Sequence, residues 1–464
     1  MPAGIRSAVA MLTDFFIADE IEATARRTGF VQRTSKLTGK LLLALVTFGA
    51  WSDAKTTLAQ LAAQAAQLGQ PVDISPEALH QRLHKKALAF LQDMRQQALA
   101  KLHSLDHVWD DGLVPTCTNV YIADSTGFAL PDALHKTFPG AGGSAAKAGA
   151  KIQAVWDYKG SLFGHFALTP WNIPDQRYVD TVVALAQKGV VFLFDLGYFK
   201  VNALAQMVTA GAYFCCRLNH QTNIYETVAG RVCPVKLAEF LATVEPGLLL
   251  LEKAILLGAT EHVAARLIAV RMPEAVVNAR RRIARKNAKK KGYTPSPAHL
   301  TLMAWNLFIT NVPPTLWKTA TVLQVYPLRW QIELIFKAWK SSLHLAALPT
   351  KKEDPTLWYL YGRMLLILLT SALCPQIRAQ LWMQKKRELS LLKLMRHLQA
   401  FAASWMQAIF QSECGLRRVL ARVCATAARL AAKESRKRRT TAQILQEGLC
   451  QQHESVALAE AINA

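Results

Sequence analysis

The sequence predicts an α/β protein in which a strand-rich core is interrupted by a β-rich insertion and flanked by all-helical regions at both ends. Three observations predict it. Leu and Ala recur at three- and four-residue steps through the first 115 or so residues, and a helical pattern returns after Pro313-Pro314. Between these regions, apolar runs such as residues 120–124 and 190–194 have the length and composition of strands. Finally, 464 residues, 52% of them hydrophobic, supply more material than one core holds.

Within the N-terminal part, residues 58–68 and 79–102 carry the helical repeat, separated by Gly69-Gln70-Pro71. Ser75-Pro76-Glu77 opens the second helix, with Ser at the N-cap and Pro in the first turn. That helix carries His80, Gln81, Arg82, His84, Lys85 and Lys86, which fits a helix-turn-helix DNA reader. An ordinary helical bundle with a solvated basic face fits the same pattern. His80 and His84 are expected on one helical face, and without an acidic or sulfur ligand at metal spacing they read as a satisfied surface pair.

From residue 118 the periodicity changes. Val120-Tyr121-Ile122-Ala123-Asp124, residues 151–158 and residues 162–169 predict three successive strands, divided by a Gly-rich stretch at 140–149 and a turn at Lys159-Gly160. A helix at 176–188, a wholly apolar strand at 190–194, a helix at 202–210 and a fifth strand at 212–218 follow. Continuous apolar character marks 190–194 as an interior strand covered on both faces. Three antiparallel strands and then alternating helix and strand is the order of a ribonuclease H-like sheet. The expected divisions are a helical DNA-binding domain at 1–116, the first part of the core at 117–222, the β-rich insertion at 223–310, the second part of the core at 311–375 and a helical C-terminal domain at 376–464.

Lys and Arg outnumber Asp and Glu by 55 to 32, a net charge of +23 that points to a polyanion, either nucleic acid or an anionic membrane. The longest apolar runs, 41–51 and 364–369, fall short of the roughly 18–20 residues that span a bilayer, and no signal-like segment is read at the N-terminus, so no membrane partner is expected. Eight of the twelve residues from Arg280 to Lys291 are basic, Arg280, Arg281 and Arg282 among them, and Lys433 with Arg436 to Arg439 forms a second cluster. The first run is assigned to phosphate contacts; a solvated loop is its bland alternative. The eight cysteines show no zinc-knuckle spacing and read as reduced, mainly buried thiols of a cytosolic protein.

Asp124 and Asp195 each close an apolar strand, an unfavourable place for a charge without compensation. Two divalent cations would compensate them, and metals roughly 3.5–4 Å apart serve phosphodiester chemistry by activating the attacking oxygen and stabilising the leaving one. Hard oxygen ligands select Mg²⁺, or Mn²⁺. Taken singly, either Asp also reads as an ordinary strand-end or turn residue. Asp157, beside Lys159-Gly160, is read as a turn residue and left out of the site.

Residues 322–343 predict one helix. At about 100° per residue, Tyr326, Arg329, Glu333 and Lys340 fall within roughly 60° of one another, while Ile332, Ile335, Phe336, Trp339 and Leu343 fill the adjoining arc. An Arg329–Glu333 surface pair is the competing interpretation.

The spacing Tyr326-x2-Arg329-x3-Glu333-x6-Lys340 resembles the Tyr-Arg-Glu-Lys signature of DDE transposases of the IS-four family, the cut-and-paste enzymes of bacterial insertion sequences. Ile122-Ala123-Asp124-Ser125-Thr126 is similar to that family's first-aspartate strand, and Leu193-Phe194-Asp195-Leu196-Gly197-Tyr198 to its second. The resemblance implies that Asp124, Asp195 and Glu333 ligate two metals, and that Tyr326, Arg329 and Lys340, assisted by Lys337, grip phosphates at the transposon end. By the same resemblance Trp305, in a strand expected at 303–310, stacks on a flipped base, with a buried core Trp as the alternative; Arg217 is a further phosphate contact. Implied partners are double-stranded DNA, as terminal inverted repeats and as target, and a second copy of the chain in a synaptic dimer. Implied chemistry is cleavage at the element's ends and strand transfer, through a hairpin. Two rival readings remain: a catalytically inactive descendant that only binds DNA, and a ribonuclease H-like structure-selective nuclease.

Overall fold

The computed structural model describes residues 3–51, 53–105, 114, 117–143 and 146–434. They fall into two compact units: one drawn from Met1–Asp111, Ser125–Ile173 and residues 331–434, the other from Gly112–Asp124 and Pro174–Trp330.

The first unit begins with six helices: α1 (Ala3–Phe15), α2 (Ala18–Arg27), α3 (Gly39–Thr47), α4 (Leu58–Ala66), α5 (Pro76–Arg82) and α6 (Lys85–His103). Their starts follow local chemistry. Thr38 accepts the Leu41 N–H, Thr57 and Gln60 form a reciprocal capping box, and Ser75 accepts the Ala78 N–H with Pro76 in the first turn, as expected. The helix expected over 79–102 is in fact two. His84 adopts extended backbone and its Nδ1 accepts the Lys86 N–H as the cap of α6, so His80 and His84 do not share a helical face.

Strand β1 (Val120–Leu130) continues six residues past Asp124, which therefore lies within a strand and does not close it. β2 (Ala148–Asp157) pairs antiparallel with β3 (Phe163–Pro170) and lies between β3 and β1 in strand order. Asp157 is a turn residue, as the sequence predicts: its carboxylate accepts the Lys159 and Gly160 N–H groups at 3.1 and 2.9 Å.

The second unit contains α7 (Val179–Val183), β4 (Val191–Phe194), α8 (Val201–Thr209), β5 (Tyr213–Arg217), β6 (Ile224–Val228), β7 (Arg231–Pro234), α9 (Leu237–Ala242), β8 (Leu250–Leu257), β9 (Val263–Arg271), α10 (Glu274–Lys290), α11 (Pro297–Leu302), β10 (Trp305–Thr310) and α12 (Thr319–Val325). Its strand order is β1-β4-β5-β10-β9-β8-β6-β7, with β1, β4 and β5 parallel and the others antiparallel. Every residue of β4 is buried, matching its continuous apolar character. The helix expected over 176–188 shrinks to α7 after a short 3-10 turn at Asp175–Tyr178. The hairpins expected between 244 and 272 are the β8–β9 pair, and the basic run after them is helical, in α10.

The chain then adds α13 (Trp330–Ser342), α14 (Glu353–Ser371), α15 (Cys374–Lys385), α16 (Leu391–Ala400), α17 (Ala402–Gln411) and α18 (Glu413–Leu430) to the first unit. α13 docks through Trp339, whose ring lies 5.5 and 5.6 Å from Phe163 and Phe166 of β3. α14 reaches α3 closely because Gly362 has no side chain: a Cβ there would stand 2.3 Å from the Val46 carbonyl oxygen. Beside it the buried Arg363 donates to the carbonyls of Ala54 and Ala347 at 3.1 and 3.0 Å. The run Glu353–Lys385 is long and apolar enough to cross a membrane, yet 94% of its most apolar window is buried in the fold, as in a core helix. The free thiols of Cys117, Cys215, Cys216, Cys374 and Cys424 are buried, whereas Cys414 is exposed. Cys450 and the cluster Arg436 to Arg439 lie outside the described residues.

On β3, burial first, and then the charges of Arg95 and His103, pull the His165 imidazole down from 6.5 to about 4. The unfolded chain therefore binds a proton that the folded chain refuses between those values, so the contribution of neutral His165 is whole above pH 6.5 and is lost as pH falls toward 4. His165→Gln is expected to narrow the drop in urea midpoint between pH 7 and pH 5 relative to wild type. Equal drops in the two proteins would contradict this assignment.

Candidate active site

Register brings two carboxylates together in the second unit. Val120, Tyr121 and Ile122 of β1 stand opposite Val191, Phe192 and Leu193 of β4 in a parallel ladder. Asp124 is two residues beyond Ile122 and Asp195 two beyond Leu193, so both emerge on the face that Ile122 and Leu193 share. Asp195 keeps extended backbone (φ −97°, ψ −172°) past the last paired residue. At normal ladder spacing the two backbones are on the order of 5 Å apart there.

The two side chains are held differently. Asp195 caps the 3-10 turn Leu196–Tyr198, its Oδ1 accepting the Gly197 N–H at 2.8 Å. Asp124 Oδ2 accepts Nη1 of Arg329 at 3.2 Å, in an ion pair whose side chains are only 18% and 14% exposed. Phe194 of β4 pairs with Cys216 of β5. Burial, then Cys215 and Asp195, hold the Cys216 thiol well above its usual range, and burial pushes Cys215 up to about 12, so neither is a nucleophile at neutral pH.

Tyr326 and Arg329 do not lie on one continuous helix with Glu333, as the sequence predicts. α12 ends at Val325, a 3-10 turn spans Tyr326–Arg329, and α13 begins at Trp330. Pro327 is the physical cause, since it has no N–H for an α-helical bond and its ring crowds the preceding turn. The Tyr326 ring meets Phe308 of β10 edge-on at 5.0 Å, and burial raises its hydroxyl above the usual phenol range, leaving a neutral donor. In the first unit, α13 places Glu333, Lys337 and Lys340 within about 60° of one another, beside the packed face of Ile332, Ile335, Phe336 and Trp339. Burial lowers the Lys340 ammonium somewhat.

The other expected DNA contacts sit on β5, β10 and α10. Arg217 lies over the Phe308 ring at 5.5 Å and donates to Asn306 Oδ1 at 3.3 Å; Arg280 donates to the same oxygen at 2.9 Å. Arg280 also reaches the Met303 carbonyl, and Arg281 donates to that of Leu300 at 3.1 Å, so both are tied into the fold while Arg282 is exposed. Trp305 is 4% exposed, and the Arg271 guanidinium stands 4.3 Å from its ring centroid, so in this structure it is a core indole with a covered face. Sequence reasoning missed Asn306. Its signal was an amide inside a wholly buried strand, which demands polar partners. Asn306→Leu removes the shared acceptor of two guanidiniums and is expected to destabilise the protein by about 1–3 kcal/mol in chemical denaturation; an unchanged midpoint would refute the bridging role.

Hard carboxylate oxygens at Asp124 and Asp195 suit magnesium or manganese, and the guanidinium against Asp124 marks a place where positive charge is already needed. Among the described residues no group of three His, Cys, Asp or Glu side chains stands closely enough together to hold a metal ion.

The chain as a whole is similar to known proteins. Residues 115–369 match the family model described as the transposase DDE domain. The chain is 28% identical over 421 residues to the transposase of insertion sequence element IS231E from Bacillus thuringiensis subsp. finitimus, covering 87% of each protein. It is 26% identical over 449 residues to the transposase of IS1151 from Clostridium perfringens, covering 93% of this chain and 94% of that one. Among solved structures, the piggyBac transposase synaptic complex with hairpin DNA aligns over 89% of this chain and 85% of that one, at 10% identity and a TM-score of 0.44.

Proposed function

We propose, for a chain that belongs to the transposase DDE domain family, that it cuts DNA at the ends of an insertion element and joins those ends to target DNA, with Asp124, Asp195 and Glu333 as its reactive carboxylates. One observation carries the reading: the parallel register that sets Asp124 and Asp195 side by side on one face. The order β1-β4-β5, all parallel, supports a ribonuclease H-like core. Glu333 enters by its position in the signature, four residues after Arg329 and in the first turn of α13.

When bound, two divalent cations, magnesium or manganese, would polarise the scissile phosphate and lower the pKa of the attacking water. The residues that would hold them are Asp124 and Asp195, through carboxylate oxygens, with Glu333 added by its place in the signature. Arg329, once turned from Asp124, offers a planar donor fork to phosphate oxygens, and the neutral Tyr326 hydroxyl donates a further hydrogen bond. Lys340 and Lys337 act as point charges on the same backbone. The 3′-hydroxyl released by the first cut then attacks the opposite strand to form a hairpin, which is reopened before joining, and two copies of the chain hold the two ends. The relatives' names, transposases of insertion sequence elements, support action on such an element.

A nicking assay on duplex DNA bearing the cognate terminal repeats, with Mg²⁺ or Mn²⁺, tests the reading. Wild type is expected to nick and EDTA to stop it. Asp195→Ala is expected to fall to background, and Arg329→Ala to lose on the order of 10²-fold. Persistent nicking by Asp195→Ala would refute the mechanism, and failure to join pre-cleaved ends to a target plasmid would make the protein a nuclease only.

A further inference from the structure

The basic run after β9 divides, once folded, into two sets of residues with different work. Arg280 and Arg281 turn inward to Asn306, Met303 and Leu300. Arg282, Arg285, Lys286 and Lys289 are all exposed. On α10 these four fall within an arc of about 100°, centred roughly 120° around the axis from the buried Val277 and Ala288. Among the described residues none of the four is engaged by a carboxylate of the fold. The only acidic residue of α10 is Glu274, in its first turn.

A bare cationic stripe works against the helix that carries it. Arg282 and Lys286, and likewise Arg285 and Lys289, are like charges four apart, a destabilising arrangement in the absence of an anion. Charge on Lys289 is partly useful to the fold, since it lies in the last turn where the helix dipole favours cations, but Arg282 lies too far from that end to gain. An anionic lipid surface is a poor match. A helix lying on a membrane buries a continuous apolar face in lipid, whereas on α10 Val277 and Ala288 are buried in the protein and Ile283 is the single large apolar side chain left exposed. Duplex DNA needs no apolar insertion. From Arg282 to Lys289 the helix rises about 10 Å, a length over which B-DNA presents about six phosphates.

We propose that the exposed stripe of α10, Arg282, Arg285, Lys286 and Lys289, is a sequence-independent rail for the phosphate backbone of duplex DNA, separate from the carboxylate site. This rests on the reading of the chain as a DNA-acting enzyme. It adds which of the basic residues face DNA, and that they carry affinity without sequence preference. Phosphate contacts of this kind position a duplex and leave base identity unread.

The test measures binding in EDTA, so that cleavage plays no part, with wild type and the full-length variant Arg282→Gln, Arg285→Gln, Lys286→Gln, Lys289→Gln. Two duplexes serve as probes, one with the terminal repeat and one of unrelated sequence, each titrated across a range of NaCl concentrations. The slope of log K against log salt is expected to shrink by about 0.9 for each phosphate no longer neutralised, or about 3–4 in all, with affinity falling equally on both probes. The variant's thermal midpoint is expected at or above that of wild type because repulsion has been relieved. Lysine acylation of the wild-type protein supplies a readout that needs no variant: duplex DNA is expected to protect Lys286 and Lys289. An unchanged slope, unprotected lysines, or weakening confined to the terminal-repeat probe would each overturn the rail. Should the slope shrink as expected while wild type never cleaves with Mg²⁺ or Mn²⁺, the enzymatic reading falls and the rail stands.

Discussion

The site depends on a register constraint: Ile122 of β1 opposite Leu193 of β4 in a parallel ladder. A one-residue slip would send Asp124 and Asp195 to opposite faces. As they stand, two carboxylates on neighbouring strands repel each other by an amount on the order of a few kcal/mol at the effective dielectric of a protein surface. Such a cost persists only where positive charge answers it. In this structure Arg329 answers it at Asp124, and the Gly197 N–H assists at Asp195.

What surrounds the pair is stiff and chemically quiet. β4 is buried along its whole length, and the neighbouring thiols of Cys215 and Cys216 are held protonated by burial. Two arginines, Arg217 and Arg280, share one amide oxygen of Asn306, among the described residues no carboxylate pairs with either, and Arg280 is less basic than usual through burial and through Arg217. Like charges gathered around a neutral acceptor leave net positive potential on β5 and β10, which suits a polyanionic substrate.

Much of this was legible in the sequence, and the parts that were not have identifiable causes. Alternation and apolar runs located β2, β3, β4 and β5 to within a few residues, because strand burial writes itself into local composition. The turn role of Asp157 was readable from Lys159-Gly160 alone. Asp124 was misread as a strand end because Ser125-Thr126-Gly127 is less apolar than the run before it, although the ladder continues to Leu130. Periodicity joined Tyr326 to Lys340 in one helix because it takes no account of the N–H that Pro327 lacks. The pairing of Arg329 with Asp124, the two guanidiniums on Asn306 and the cover of Arg271 over Trp305 join residues far apart in the chain, and no local pattern announces such contacts.

The central claim, that Asp124 and Asp195 share one cation-binding position, is tested most directly without any DNA. Titration of the full chain with Mn²⁺, followed by calorimetry or by the paramagnetic resonance of free Mn²⁺, should show binding that either Asp124→Asn or Asp195→Asn weakens at least about tenfold. Both variants binding Mn²⁺ as tightly as wild type would contradict that claim.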